Sequence, residues 1–323
     1  MQTLLKNTRA YKLLAADGKN DRFGHAYLVL LDDARNLRAA LKTFAKPFFG
    51  CEERRGESAA RIADLIDSES FADCHFFPEK DKKLVVEDAE RIAEECMLRP
   101  VEGEKKLFVV CGFDEATVAA QNKLLKLLEE PPKGVFFLLG ACVSYPVLPT
   151  VLSRVQKLEI PPFDNLEIAA CLAREYGADF SQTDYALCAA ASGGCLGSAR
   201  DMLFGGAYKT LIDDAFSLCL GGSASLPALV KRVGETKRKK ELLSLLRLVF
   251  RDALVYKTSA AKADRTFLRA EEARIKSVAE RYTARALIEA QTLIAQAERE
   301  SFFNAVFPQC LETLIAKIYE IDA

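Results

Sequence analysis

Ser153-Arg154 sets a guanidinium beside a hydroxyl. Arginine stays charged at every accessible pH, and its planar fork can bond two phosphate oxygens at once as charge develops on them. One acidic pair, Asp114-Glu115, is of the type that holds a magnesium shell, whereas another, Asp32-Asp33, would repel any polyphosphate brought beside it. Ten cysteines, at positions 51, 74, 96, 111, 142, 171, 188, 195, 219 and 310, accompany only two histidines. They include no CxxC pair and sit mostly among apolar neighbours, so they read as small buried hydrophobes in a reducing cytosol, neither zinc ligands nor a disulfide framework. Two basic clusters, Lys80 with Lys82-Lys83 and Lys231-Arg232 with Lys237-Arg238-Lys239-Lys240, have the pattern of solvated faces. Asp81 interrupts the first and no aromatic residues interleave the second, so direct contact with DNA is not their first reading.

The elements that must position these residues belong to more than one domain. At about 150 residues per domain, 323 residues make two or three. Lys+Arg number 45 against 46 Asp+Glu, so the chain as a whole carries no polycationic field for nucleic acid, although a local basic face stays possible. Met1 to Tyr11 lacks the apolar centre of a signal peptide, and the longest uncharged run, Gly134 to Ser153, reads as a buried strand and a loop with Pro146 and Pro149. A soluble, cytoplasmic protein without a membrane span is expected. In the first half, strand-like runs at Ala26–Leu31, Leu107–Phe113 and Val135–Ala141 alternate with helical patterns at Leu37–Phe49 and Thr117–Leu128. Buried strands between amphipathic helices predict a parallel sheet with helices on both faces. Pro161-Pro162 ends that pattern. A short helical region follows from Asn165 to about Leu203, with Gly193-Gly194 and Gly197 as breaks, and the remainder is helical throughout.

The run Ala120-Gln121-Asn122-Lys123-Leu124-Leu125-Lys126-Leu127-Leu128-Glu129-Glu130-Pro131-Pro132 is by itself an amphipathic helix stopped by a double proline. It is followed in order by Phe136-Phe137-Leu138-Leu139, by Leu148-Pro149-Thr150-Val151-Leu152-Ser153-Arg154-Val155-Gln156 and by Ile160-Pro161-Pro162-Phe163. That ordered set resembles the AAA+ clamp-loader family of bacterial DNA polymerase III, and within it the delta prime branch. The likeness keeps register from residue 1 to about 206. His25-Ala26-Tyr27-Leu28, Phe44-Ala45-Lys46 and Gly193-Gly194-Cys195-Leu196-Gly197-Ser198-Ala199-Arg200 add to it, the last being similar to the family's sensor-2 neighbourhood. The resemblance implies an α/β AAA+ core over residues 1–163, a small helical lid domain over 164–206 and a C-terminal all-α collar domain over 207–323.

It also implies where a nucleotide would sit. Between His25 and Lys46 an active member carries a phosphate-binding loop, which needs glycines for backbone approach, a lysine for the β/γ-phosphates and a hydroxyl for magnesium. Without a gap those places fall on Leu31, Asn36, Leu37 and Arg38, and none is of the required type. Spacing back from Asn122 puts the Walker B acids on Cys111 and Gly112, so Asp114 is expected to be a charge or cap at a helix entry. ATP hydrolysis by this chain is therefore not expected, nor any cofactor. By contrast, Ser153-Arg154 keeps the charged member of the family's SRC triplet, with Val155 in the cysteine's place, and implies a trans-acting arginine finger. Without the family pattern, Arg154 would be a surface arginine paired with an acid such as Glu159. Arg200, sensor-2-like, is expected to form a salt bridge rather than a phosphate contact. Cys51 survives where the family commonly carries a zinc module, but Glu52 to Asp73 holds no cysteine or histidine, and Cys51, Cys74 and His75 lack a matching spacing, so no metal is expected.

In the C-terminal third, Leu242, Leu243, Leu245, Leu246, Val249 and Phe250, then Leu287, Ile288, Leu293, Ile294, Leu311, Leu314, Ile315 and Ile318, recur at helical spacing and predict a bundle core. The family's NxNP element has only Ala305-Val306-Phe307-Pro308 as its nearest counterpart. The resemblance thus implies a non-hydrolysing stator in a hetero-oligomer with gamma/tau and delta subunits, reaching the sliding clamp and primer-template DNA through the complex. Its rivals are a gamma/tau-like ATPase with atypical Walker elements and a non-catalytic AAA+-derived adaptor outside the clamp loader.

Overall fold

In the computed structural model, which describes residues 1–51, 57–80, 82–204, 207–221, 226–236, 238–258, 268, 271–302 and 306–321, the strand-forming runs of the first half pair into one parallel sheet. This N-terminal unit spans Met1–Pro162. Helices α1 (Gln2–Asn7) and α2 (Arg9–Lys19) lead into β1 (Ala26–Leu31) and α3 (Ala34–Ala45), which a 3-10 turn at Lys46–Phe49 extends. Next come α4 (Glu57–Asp67), β2 (Cys74–Phe77), α5 (Val86–Cys96), β3 (Lys106–Val110) and a 3-10 turn at Phe113–Glu115. Helix α6 (Val118–Glu129), β4 (Val135–Ala141), α7 (Pro149–Leu152) and β5 (Gln156–Ile160) complete the unit.

The strand order is β2-β3-β4-β1-β5, every neighbouring pair parallel, with Leu28 opposite Leu139 and Phe108 opposite Phe137. Because strand side chains alternate, the two faces take different partners. Ala26, Leu28, Phe108, Val110, Phe137 and Leu139 join Ala89 and Ile92 of α5 and Leu124 and Leu128 of α6 in one buried cluster. On the opposite face α3 lies over β4 so closely that a Cβ at Gly140 would come within 2.9 Å of Leu41 Cδ2. The expected strands Ala26–Leu31 and Val135–Ala141 are observed with those bounds, and Thr117 is the cap of α6, its hydroxyl accepting from Ala120 N at 3.2 Å. Strands β2 and β5 carry no strong sequence signal. They are the two edge strands, and β5 buries only Leu158 and Ile160 of its five residues.

The second unit, Phe163–Ala323, has only helices as regular elements among its described residues. It contains α8 (Asn165–Tyr176), α9 (Gln182–Ala191), α10 (Leu196–Phe204), α11 (Ala207–Leu220), α12 (Leu226–Gly234), α13 (Lys239–Thr258), α14 (Glu272–Arg281), α15 (Ala284–Phe302) and α16 (Phe307–Ile321). Local chemistry starts the helices: the Asp164 carboxylate accepts from Leu166 N at 2.8 Å, and Ser181 and Asp184 form a reciprocal capping box. Gly193 and Gly194, both at positive φ, separate α9 from α10 as expected, whereas Gly197 is not a break but a buried residue inside α10. The 20-residue α13 packs on α11, α14 and α15, and buries Leu242, Leu246, Val249 and Phe250. Asp252 on the same helix is fully buried and accepts from Leu268 N at 2.8 Å. Of the apolar set expected in this bundle, Ile288 is exposed, because adjacent Leu287 already faces inward and neighbouring helical positions point about 100° apart. No helix among the described residues is long and apolar enough to cross a membrane.

Candidate functional site

Parallel strands deliver their carboxyl ends to one edge of the sheet, which is where open α/β sheets bind ligands. Leu31 ends β1 at that edge, Cys111 follows β3 and Cys142 follows β4. Between β1 and α3 there are only two residues, Asp32 and Asp33. The Asp33 carboxylate is turned onto the first turn of α3, accepting from Asn36 N at 3.3 Å and from Asn36 Nδ2 at 2.7 Å. The helix N-terminus is thus occupied by an anion from the chain itself, at the point where a bound phosphate would compete for the same N–H groups.

All four positions aligned with a phosphate-binding loop are committed to the fold. Leu31 and Leu37 lie in the core, each 4% exposed, and Asn36 is held by Asp33. Arg38 forms a two-bond pair with Glu69, Nε to Oε1 at 2.8 Å and Nη2 to Oε2 at 2.6 Å, and its Nη1 donates to Pro78 O at 2.9 Å. Lys42, one turn further along α3, reaches Glu69 Oε1 at 2.9 Å, and Lys46 pairs with Asp67 at 2.7 Å. The Arg38 hydrogen bonds, with those from Lys42 behind them, hold the Glu69 carboxyl down to about 2 against its burial.

Cys111 and Gly112, where the resemblance puts the Walker B acids, are also committed to the fold. Cys111 donates its N–H to Phe77 O at 2.7 Å, and burial pushes its thiol up to about 11. Gly112 is left-handed at φ 65° and starts the 3-10 turn. Asp114 and Glu115 do not converge. Asp114 Oδ2 accepts from Cys142 N at 3.1 Å and Val143 N at 3.2 Å, tying the loop after β4 to the turn after β3, while Glu115 is exposed and pairs with Lys83 at 3.2 Å. Asp114 therefore lies in the first turn of the 3-10 segment but caps a neighbouring loop, because Thr117 already caps α6. Its burial pushes the carboxyl up.

At Ser153-Arg154 the arrangement is the reverse. Helix α7 is a single turn, and what positions it is α6. The buried Gln121 side chain accepts from Leu148 N at 2.9 Å and donates to Pro146 O at 3.2 Å and Ala116 O at 3.3 Å, fixing the loop that enters α7. Val151 and Val155 join the buried cluster below, so valine in the cysteine's place keeps an apolar anchor of similar size. Ser153 and Arg154 remain at the surface. Ser153 Oγ donates to Thr150 O at 3.0 Å, and Arg154 Nη1 donates to Thr150 O at 2.7 Å and Ser153 Oγ at 3.2 Å. The acid paired with Arg154 Nη2 is Glu129, the last residue of α6, and not Glu159. Neither Gln121 nor Glu129 stood out as a site residue in the sequence. Gln121 had a signal, since it lies three and seven residues before Leu124 and Leu128 and interrupts their apolar stripe.

Residues 6–164 match the family described as DNA polymerase III, delta subunit. That segment, just under half of the chain, is similar to that family. Over 156 residues, 48% of this chain and 47% of the relative, it is 31% identical to DNA polymerase III subunit delta' of Bacillus subtilis. Over 86% of this chain and 54% of the relative, it is 22% identical to the tau subunit of the same organism. The matches thus span about half the length of these curated relatives. A DNA polymerase III gamma subunit-related protein from Thermotoga maritima superposes on 97% of this chain and 100% of its own, with 16% identity and a TM-score of 0.42.

Outside the segment that matches the delta-subunit family, Arg200 of α10 pairs with Glu175 of α8 at 2.6 Å, a salt bridge between two helices of the second unit. Within the family domain, Cys74 is buried in β2 and His75 stacks on Phe108 at 5.2 Å between ring centres. Of the basic clusters, Lys82 pairs with Glu79 at 2.7 Å, Arg232 with Asp214 at 2.8 Å, and Lys239 lies over the Phe307 ring at 5.5 Å. Asp81, Lys237 and Ala305 lie outside the described residues.

Proposed function

We propose that this chain is a non-hydrolysing stator subunit of the DNA polymerase III clamp loader, of the delta prime kind, and that Arg154 acts in trans on the ATP site of a neighbouring gamma/tau subunit. The observation that carries this reading is the contrast within one sheet: Leu31, Asn36, Leu37 and Arg38 are spent on the fold, while Arg154 stays at the surface. Three chemical requirements of a nucleotide site in cis are unmet at the carboxyl edge. The Asn36 N–H at the start of α3 is taken by Asp33, Leu37 stands at the loop's lysine position, and the positions aligned with Walker B offer a thiol and a glycine. Arg154 meets the different requirement of a finger, which is a permanent charge on a rigid base that can exchange its partner.

The family match supports a role in DNA polymerase III; delta and gamma/tau as partners, and the sliding clamp and primed DNA reached through the complex, are part of the proposal. The lid and collar roles of residues 164–206 and 207–323 belong to the same proposal, as do a cytoplasmic location and assembly as a hetero-oligomer. Two measurements test it. ATP binding by the isolated chain should be undetectable at micromolar nucleotide; micromolar affinity with magnesium-dependent turnover would make it a gamma/tau-like ATPase instead. Reconstitution with gamma/tau and delta should give a complex whose ATPase and clamp loading fall in Arg154→Ala. No complex at all would point to an adaptor outside the clamp loader.

A further inference from the structure

Glu129 is an acid at the carboxyl end of α6, where the helix dipole disfavours negative charge. Pro131 and Pro132 already stop the helix, and the capping bond at that end is made by Glu130 N to Lys126 O, so neither termination nor capping calls for a carboxylate at position 129. What the carboxylate meets is Arg154 Nη2. The other terminal nitrogen of the same guanidinium is bound to Thr150 O, four residues back along the chain, and to Ser153 Oγ. The arginine is thereby folded over its own turn, with Glu129 closing it from the side. A finger that crosses to another chain has to be extended.

We propose that Glu129 is a positioning residue that holds Arg154 retracted until a partner-bound phosphate displaces the carboxylate. This rests on the reading of Arg154 as a trans-acting finger. The two anions compete for one fork, and a phosphate, with more charge and two oxygens aimed at the guanidinium, wins once the partner brings it close. The pair is also easy to exchange, since both side chains are partly exposed, 33% for Arg154 and 46% for Glu129, and exposed pairs are weak. Glu129 would then set how much nucleotide turnover occurs before the complex is fully assembled on its target.

The test is a double-mutant cycle in the reconstituted complex with gamma/tau and delta, comparing wild type, Glu129→Gln, Arg154→Ala and the double variant, with ATPase read without clamp or DNA. Glu129→Gln should raise kcat about fivefold, as loss of a weak competing pair allows, with KM for ATP unchanged and the melting temperature of the isolated chain kept. The rise should vanish in the Arg154→Ala background. An unchanged or lower kcat in Glu129→Gln, or a rise that persists without Arg154, overturns the role of Glu129 while leaving the finger intact, provided Arg154→Ala still lowers turnover. If Arg154→Ala has no effect on the partner, both readings fall.

Discussion

At Leu31, Asp33, Asn36 and Leu37 the chain buries its side chains, and at the end of α7 it turns Ser153 outward with Arg154 partly exposed beside it. The two regions serve the same sheet, yet the first commits its side chains to packing or internal pairing, with Asp33 on the helix N-terminus and Glu69 on Arg38. The second keeps a single cation at the surface and surrounds it with positioning groups: Gln121 below, Thr150 and Ser153 along its own turn, and Glu129 beside it. On the proposed function the two regions differ because binding in cis needs a loop of backbone donors, whereas acting in trans needs one side chain on a firm base.

Substitutions can break that contrast at graded strengths. The largest effect is expected from Arg154→Ala, which should lower turnover at the neighbouring subunit's site on the order of 10³-fold while leaving the melting temperature of the isolated chain within a degree. Leu37→Lys, which restores the phosphate-loop lysine by type, should cost about 3 kcal/mol of stability or more in a denaturant titration and still confer no ATP binding, because position 37 is core.

A pH series sharpens the inward side. The Glu69 carboxyl is held to about 2, below its ordinary 4.5, so the stabilisation it gives is complete above about pH 4.5 and drains away as the pH falls towards 2. Stability measured by urea midpoint should drop by about 3 kcal/mol across that window in wild type, and Glu69→Gln should lack that part of the slope. Smallest of the four, Gln121→Ala should cost about 2 kcal/mol by leaving Leu148 N and Pro146 O without their side-chain partner, and should weaken partner activation only through α7.

Much of this was legible from residue types. The continuous apolar runs of β1 and β4 announce buried central strands, and the four wrong residues at positions 31, 36, 37 and 38 announce an altered loop. Edge strands β2 and β5 were not legible, since one buried edge or two inward residues leave too little pattern. Nor was the partner of Arg154. Glu159 is five residues away in sequence but lies on an edge strand, whereas Glu129 is 25 residues away and is brought alongside by the packing of α6 against α7.

By itself the sequence determined which side chains stand at the positions the resemblance singles out: Leu31, Asn36, Leu37 and Arg38, Cys111 and Gly112, and Ser153 and Arg154. Residue type is a local property and survives any fold. Only the tertiary structure decided what those residues do instead: that Asp33 occupies the start of α3, that Arg38 is matched to a glutamate 31 residues on, that Asp114 ties two loops together, and that Arg154 rests on Glu129. Charge pairing acts over a few ångströms of space, and which charges come within those few ångströms is set by how the helices pack on the sheet.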